Sequence, residues 1–540
     1  MQDMKKSAVV FVENRESLLH LCSYLQESDW QILSFGDTAE YLKTNEIPYK
    51  AERNLDYLSS SVSDTSSFMQ KILLTSHSEY SRNADTDNNV RLLCVNCTPR
   101  LMHKKNNSDN LNNEKYASFI VSLIRSGIIN YKNVLILTDP VDYNEAVIQM
   151  RTDSVSMEFR EYLMGKALNL VSAYDAAVSF SILRSSPYAD PFLNYLMIPY
   201  KKKRVLQHGA NEQQSSALYS LCGEEGTVNG VKLLQGNVPT YAVVSDSTYA
   251  WELVGNLYMN LKTQMAVESE NRDGYKFNTQ IMPLTGTVFC IIVKHKLIVG
   301  AGIATNSVDS FRKALNYDST VINNASIACS SAVDADLAKE IIKYKFTSVI
   351  APGFTEEARN IFSEHQVIRL LQTNGFEKKH YDAENMNGGI LVQSVDDIMF
   401  EKLFICTTKR PSQEEMNQLA FGTIMVMNSH SYAAVVIKDN GITGISSSFG
   451  SRLKTLQNVT YEAKQTMKKH LDENNGDERI GDVLVCDSAI PLCDSVKELI
   501  DGGVTAIMQT GGLQEDKELI DYCDEKGVSM IFTGRTHYHY

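Results

Sequence analysis

Short β-rich runs alternate with stretches of helical period along nearly the whole chain, and that alternation constrains the fold more than any other feature. In the N-terminal part the runs 7–12, 31–34, 91–96 and 134–138 are strand-like, while 16–26 and 38–44 carry helical patterns. Strand, helix, strand in succession calls for an α/β fold with a parallel sheet flanked by helices, and places binding groups on the loops beyond the strand ends. The segments 59–87 and 104–115 are rich in Ser, Thr, Asp, Asn and Lys and read as surface loops. A helical pattern from Met157 to about Leu183 stops near Ser185-Ser186-Pro187, ahead of a linker that holds Lys201-Lys202-Lys203-Arg204. Beyond it, strand-like runs at 288–293, 348–350, 433–437, 482–486, 506–509 and 529–532 again alternate with helical stretches. Two linked α/β halves are expected there, divided within the polar segment between Asn374-Gly375 and Gly388-Gly389, which shows no sustained apolar period. The expected domains are 1–200, 201–375 and 376–540.

At 540 residues the chain exceeds what one hydrophobic core supports. A formal charge of −13 argues against nonspecific nucleic-acid binding, which needs a basic surface. The basic run at 201–204 is better read as a solvated linker than as a phosphate contact, because adjacent cations repel and stay hydrated. No apolar stretch approaches the roughly 18 residues of a membrane span, and Met1–Lys6 leads straight into a strand-like run. A cytoplasmic protein without a membrane partner is expected. The ten cysteines are irregularly spaced, and the pair Cys94 and Cys97 lacks a second pair at zinc-site spacing, so reduced thiols and no metal are expected.

Several motifs stand out in order along the chain. Residues 502–512 read GGVTAIMQTGG, 527–534 read GVSMIFTG, and the end reads His537-Tyr538-His539-Tyr540. Ala250-Trp251-Glu252-Leu253-Val254, Pro352-Gly353-Phe354 and Cys486-Asp487-Ser488-Ala489-Ile490-Pro491 precede them, and the N-terminal part holds Asp139-Pro140-Val141-Asp142-Tyr143 and Ala173-Tyr174-Asp175-Ala176-Ala177. Together these resemble the bifunctional purine biosynthesis family, which joins an AICAR transformylase to an IMP cyclohydrolase. The resemblance implies a methylglyoxal-synthase-like parallel-sheet domain followed by a transformylase of two cytidine-deaminase-like halves. It also implies a homodimer with the transformylase site at the subunit interface, 10-formyltetrahydrofolate as co-substrate and a nucleotide-like acceptor.

Ring closure onto a formamide needs groups that polarise the carbonyl, move a proton and hold a phosphate. Where the family writes KTLHP, this chain has Ser63-Asp64-Thr65-Ser66-Ser67; where it writes NLYPF, Asn96-Cys97-Thr98-Pro99-Arg100. Ala117 to Val121 replaces the IDIGG loop, Ile129 replaces a lysine, and the phosphate turn has become Ser34-Phe35-Gly36-Asp37-Thr38-Ala39. A kept fold with a lost cyclohydrolase is the expectation.

Formyl transfer to an aromatic amine needs a base at the weak nucleophile and a donor at the developing oxyanion. The family's KHxNPCG motif reads Lys294-His295-Lys296-Leu297-Ile298-Val299-Gly300, so the Lys294 and His295 pair survives while Leu-Ile-Val cannot reproduce the bend beyond it. Taken alone, such a pair is what a solvated strand end looks like; its place in the motif order makes it the candidate catalytic pair. The resemblance further marks Arg452, Asp494, Pro491, Gly511 and Gly512 as substrate-binding positions, with Asp494 against the pterin. The nucleotide motif LRYGENPHQ has become the run 206–214, keeping His208 and Asn211 but losing its arginine. The terminal phosphate arginine aligns with Thr536, beside Arg535, and an asparagine assisting proton transfer aligns with Tyr432. The leading expectation is a folate-dependent formyltransferase with an acceptor other than AICAR. A non-catalytic protein binding a nucleotide or a protein partner, and a divergent enzyme with both activities, remain the alternatives.

Overall fold

In the computed structural model the described residues are 6–51, 89–99, 108–152, 154–184, 186–222, 231–261, 265–281, 283, 286–316, 322–373, 375–376, 379, 381–472 and 478–539. They form two compact units, one of Met1–Lys202 with Tyr219–Glu224 and one of Lys203–Leu218 with Glu225–Tyr540.

The first unit is built on a five-stranded sheet of β1 (Lys6–Val12), β2 (Gln31–Ser34), β3 (Lys50–Ala51), β4 (Asn89–Asn96) and β5 (Leu135–Leu137), in the order β3-β2-β1-β4-β5. Every neighbouring pair is parallel. Along β1, Ala8, Val10 and Val12 pack into one core and Val9 into another, so the strand is buried on both faces, as an all-parallel sheet requires. Helix Leu18–Glu27 covers the first face through Leu18, Leu21 and Leu25. Helix Ser108–Ile129 covers the second through Phe119, Ile120, Leu123 and Ile124. The loop expected at 104–115 is therefore helical from Ser108. Its first turns read Ser-Asp-Asn-Leu-Asn-Asn-Glu-Lys, too polar to show an amphipathic period in the sequence. The segment 59–87 lies outside the described residues. The basic run expected as a linker is instead most of a strand, Tyr200–Val205, in a two-stranded sheet with Ala217–Leu221. Lysine on a short exposed strand keeps its edge from pairing further.

The second unit centres on a mixed 14-stranded sheet in which one arrangement occurs twice. In the first half the hairpin Val288–Lys294 and Leu297–Ala304 leads to Ser326–Cys329, Ser348–Ala351 and Arg369–Gln372, three parallel strands, with Lys232–Gln235 antiparallel at the edge. In the second, the hairpin Ala434–Lys438 and Gly441–Ser446 leads to parallel strands Val483–Cys486, Ala506–Gln509 and Ser529–Phe532, with Lys402–Ile405 antiparallel beyond them. The halves join hairpin to hairpin through the pair Gly302↔Gly441. A Cβ on Gly302 would lie 2.5 Å from the Ser310 carbonyl oxygen, so a side chain there would push the covering helix Ser307–Ala314 off the sheet. The hairpin Met265–Asn271 and Lys276–Ile281 comes from the first half of the chain yet pairs with Lys402–Ile405 at the far edge of the second.

Helices Tyr241–Leu261 and Gln413–Met427 lie in one core that spans both halves, where Trp251, Leu253, Leu419 and Phe421 are fully buried. The polar segment between 374 and 389 contains a strand expected as irregular chain, Asp382–Met386, paired with Gly389–Gln393. That hairpin is exposed on both faces, so no alternation of apolar and polar residues marks it.

Candidate active site

Strand Val288–Lys294 turns into Leu297–Ala304 with Lys294 opposite Leu297, which leaves His295 and Lys296 as the turn. Their φ angles are +54° and +58°. Two successive left-handed residues suit the twist of a tight hairpin, but such turns favour Asn-Gly because a Cβ is disfavoured in that region. The Asp246 carboxylate meets both residues: Oδ2 accepts the His295 N–H at 2.9 Å and Oδ1 the Lys296 N–H at 2.8 Å. Asp246 is buried on helix Tyr241–Leu261, whereas the His295 side chain is exposed and Lys294 half-buried. The bend that the family motif makes with Asn-Pro is thus made here within the His-Lys dipeptide, and Leu297 already belongs to the next strand.

A second set of polar and aromatic groups gathers in the second half of the sheet, and Lys296 of the turn acts electrostatically on one of them, His539. The rings of His430 and His539 lie 5.0 Å apart, centroid to centroid. Burial, then the neighbouring His430, with Lys379 and Lys296 adding to them, holds His539 below the usual imidazole range against the pull of Asp382. Arg452 begins helix Arg452–Asp472; its guanidinium lies over the Tyr432 ring at 5.0 Å and donates to the Tyr538 hydroxyl at 3.2 Å. Tyr432 and Tyr538 meet edge to face at 5.8 Å. Asp487, fully buried beyond strand Val483–Cys486, accepts from the Ser431 hydroxyl at 2.7 Å, and its carbonyl accepts the His537 N–H at 3.1 Å. Burial raises the Asp487 carboxyl above the ordinary range despite those bonds.

Arg535 donates to Glu401 at 2.7 Å and to Asp396 at 3.2 Å, so two of its guanidinium nitrogens are already engaged. Asp396 also holds Nδ1 of the buried His537 at 2.6 Å. Burial pushes the Asp396 carboxyl up, but His537 and Arg535 outweigh it and hold the group low. Asp494 opens helix Asp494–Asp501 with its side chain 97% exposed and Lys497 no nearer than 3.9 Å. Pro491 is half-buried ahead of that helix. Gly511 and Gly512 have φ of +74° and +102°, and a Cβ on Gly511 would strike the Phe532 ring at 2.6 Å. The Gly512 and Leu513 N–H groups both donate to Asp516. His208 offers its carbonyl to the Tyr241 N–H at 3.1 Å, where the Asp246 helix begins, and Asn211 is exposed, bonded to Gln214. Sequence reasoning missed Asp246, Asp396, Asp487, His430 and His539. Asp487 and His539 stand within motifs quoted above without having been singled out, and for Asp246 the signal was an acid within the apolar helix that leads to Ala250-Trp251.

In the first unit the turn at Ser34–Ala39 buries Phe35, which stacks on Phe11 at 4.2 Å and meets Phe119 edge-on at 5.9 Å. Asn96 spends its side-chain oxygen on the Glu13 and Asn14 N–H groups, both at 2.9 Å, and Glu13 accepts the Thr98 N–H. Ile129 is 73% exposed. Lys166 bridges Asp139 and Asp142 at 2.8 and 2.6 Å, and Arg125 pairs with Asp175. Residues 63–67 and the Ala117 side chain lie outside the described residues. Cys94 and Cys97 are buried, and burial pushes the Cys97 thiol up to about 12, so neither is poised as a thiolate. Among the described residues no group of three or more metal-ligating side chains occurs, and no helix is long and apolar enough to cross a membrane.

A parallel α/β unit followed by a mixed sheet in which one arrangement occurs twice defines a two-part α/β protein. The family model described as AICARFT/IMPCHase bienzyme matches residues 129–461, and the chain belongs to that family. Over 555 residues, 99% of this chain and 100% of the relative, it is 29% identical to the bifunctional purine biosynthesis protein PurH of Clostridium acetobutylicum. It is 28% identical over 548 residues, again 99% of this chain and 100% of the relative, to PurH of Clostridium perfringens. The crystal structure of ForH covers 33% of this chain and 96% of its own, at 21% identity and a TM-score of 0.26, too loose an overlap to bear on the fold.

Proposed function

We propose that this chain moves a formyl group from 10-formyltetrahydrofolate to the amine of a nucleotide-like acceptor other than AICAR, and that its N-terminal unit has lost IMP cyclohydrolase chemistry. The observation that carries the first part is the Lys294–His295 turn held on Asp246. An exposed imidazole beside a lysine offers a proton acceptor for the amine and a hydrogen-bond donor for the oxyanion. In this reading His295 takes the proton of the acceptor amine as its nitrogen bonds to the formyl carbon, and Lys294 steadies the charge growing on the formyl oxygen. The bond between the formyl carbon and N10 of the folate breaks as the new C–N bond is made, and the proton taken from the amine passes to N10, so that tetrahydrofolate leaves. Asp494, almost wholly exposed and not tightly paired, is free to accept pterin N–H bonds, which is the fit such a ligand needs. Arg452, seated on Tyr432, would meet an anionic part of the substrates.

Tyr432 and Tyr538 crowding Arg452, and the pairing of Arg535 with Glu401 and Asp396, support an altered acceptor. The phenylalanine cluster at Phe35 and the exposed Ile129 support the loss of cyclohydrolase chemistry, since each puts hydrocarbon where the resemblance implies a ligand-binding turn or a lysine. A homodimer through the region after residue 200 belongs to the same reading; the half-exposed Met386, Ile390 and Leu391 give it apolar surface to bury. Calorimetric binding of a reduced folate to the purified protein tests the proposal directly. Binding supports it, and no binding leaves the non-catalytic reading standing. Sedimentation showing a monomer at micromolar concentration would count against the dimer.

A further inference from the structure

We infer that Asp246 is the positioning residue of the Lys294–His295 pair, its carboxylate fixing the left-handed turn from which the His295 imidazole projects. The inference rests on the reading of Lys294 and His295 as the reacting groups. His295 and Lys296 both carry a Cβ at positive φ, a conformation that neither residue prefers and that local sequence alone does not select. Something outside the hairpin has to hold it. Asp246 meets the need with one oxygen on each amide, 2.9 and 2.8 Å away, and hydrogen bonds to a carboxylate are stronger than neutral ones. Buried as it is, Asp246 acts through the backbone of the turn.

The carboxylate is itself mounted rigidly. The next residue, Ser247, places its hydroxyl 2.7 Å from that of Ser348 and 3.4 Å from that of Ser326, and those two hydroxyls are 2.8 Å apart. This buried triangle of hydroxyls ties the helix to the strands Ser326–Cys329 and Ser348–Ala351. At the start of the helix the Tyr241 N–H is tied to the His208 carbonyl. A support fixed at both places transmits its geometry to the turn, and a misplacement of about 1 Å in such a group costs on the order of 10²-fold in rate.

The test combines amide hydrogen exchange with formyl transfer, using the full chain throughout. In Asp246→Ala the His295 and Lys296 amides should exchange at least ~10-fold faster than in the parent, because their acceptor is gone. Turnover should fall by on the order of 10²-fold with folate KM nearly unchanged. Adding Lys296→Gly, which takes positive φ freely, should restore at least ~10-fold of the lost turnover, a rescue no direct chemical role of Asp246 would allow. If Asp246→Ala does not fold, Asp246→Asn retains one acceptor oxygen and should deprotect one of the two amides. Unchanged exchange, or a double variant that regains no turnover, overturns the inference. Should the parent protein transfer no formyl group to any amine tried, the proposed function falls while the exchange measurement still decides whether Asp246 holds the turn.

Discussion

Nζ of Lys166 lies 2.6 Å from Oδ2 of Asp142, a carboxylate whose side chain is only 6% exposed. The same ammonium reaches Asp139, and the Tyr162 hydroxyl donates to the other oxygen of Asp142 at 3.3 Å. One lysine therefore satisfies two carboxylates at the end of β5, where the chain enters the short turn Pro140–Asp142.

Replacing Lys166 with Met should destabilise the first unit by about 2–4 kcal/mol, because a buried carboxylate left without its cation costs more than a surface pair returns. Burial pushes Asp139 up, but Lys166 and the Val141 N–H hold it below the ordinary carboxylate range. A carboxylate depressed in the folded state binds fewer protons than in the unfolded chain, so its contribution is present above about pH 4 and is lost as pH falls through the folded value. Melting curves from pH 7 down to pH 3 should show a larger loss in the parent than in Lys166→Met, where only the Val141 N–H still favours the Asp139 carboxylate.

Asp487 is expected to behave with the opposite sign. Its carboxyl is raised by burial, so the native state binds more protons than the unfolded chain, and stability declines as pH rises through the folded value. Asp487→Asn retains an acceptor for Ser431 without the buried charge. Its melting temperature should gain on the parent between pH 4 and pH 8, and a gain that shrinks with rising pH would refute the assignment.

His295→Ala should lower formyl transfer by at least ~10²-fold while folate affinity stays within a factor of about two, since the base contributes to the chemical step. Asp494→Ala should do the reverse, weakening folate binding. With its side chain almost wholly in solvent, it should change thermal stability by no more than about 0.5 kcal/mol. Calorimetry and initial rates on both variants check the pair.

The full chain should form no IMP from FAICAR above the uncatalysed rate. Loss of one catalytic donor typically costs about 10²- to 10³-fold, and the proposed reading has several positions without theirs. Chromatographic detection of IMP above background would reverse this expectation.

Much of the strand framework was legible because buried parallel strands are uninterrupted apolar runs; Ala506–Gln509 and Ser529–Phe532 follow their runs residue for residue. Elements with little burial were not. The lysine-bearing strand Tyr200–Val205 and the hairpin Asp382–Gln393 expose most of their side chains, so no period distinguishes them from loop. The Lys294–His295 pair could be found by motif, but Asp246 lies about 50 residues before its partners, and a carboxylate bonded to backbone amides leaves no mark in a side-chain pattern. His430 and His539 meet only because the chain end returns beside strand Ala434–Lys438, with the Ser431 N–H donating to the His539 carbonyl at 2.8 Å.

The hairpin Met265–Ile281 leaves the first half of the chain to become the outer border of the second, so the two repeats hold each other like linked hands as well as meeting at Gly302 and Gly441. A protease that nicked the backbone once near residue 375 would cut the covalent thread and leave that clasp closed. The two pieces should then migrate as a single particle on a sizing column and separate only in denaturant, so gene fission between the repeats is a tolerable event for this architecture.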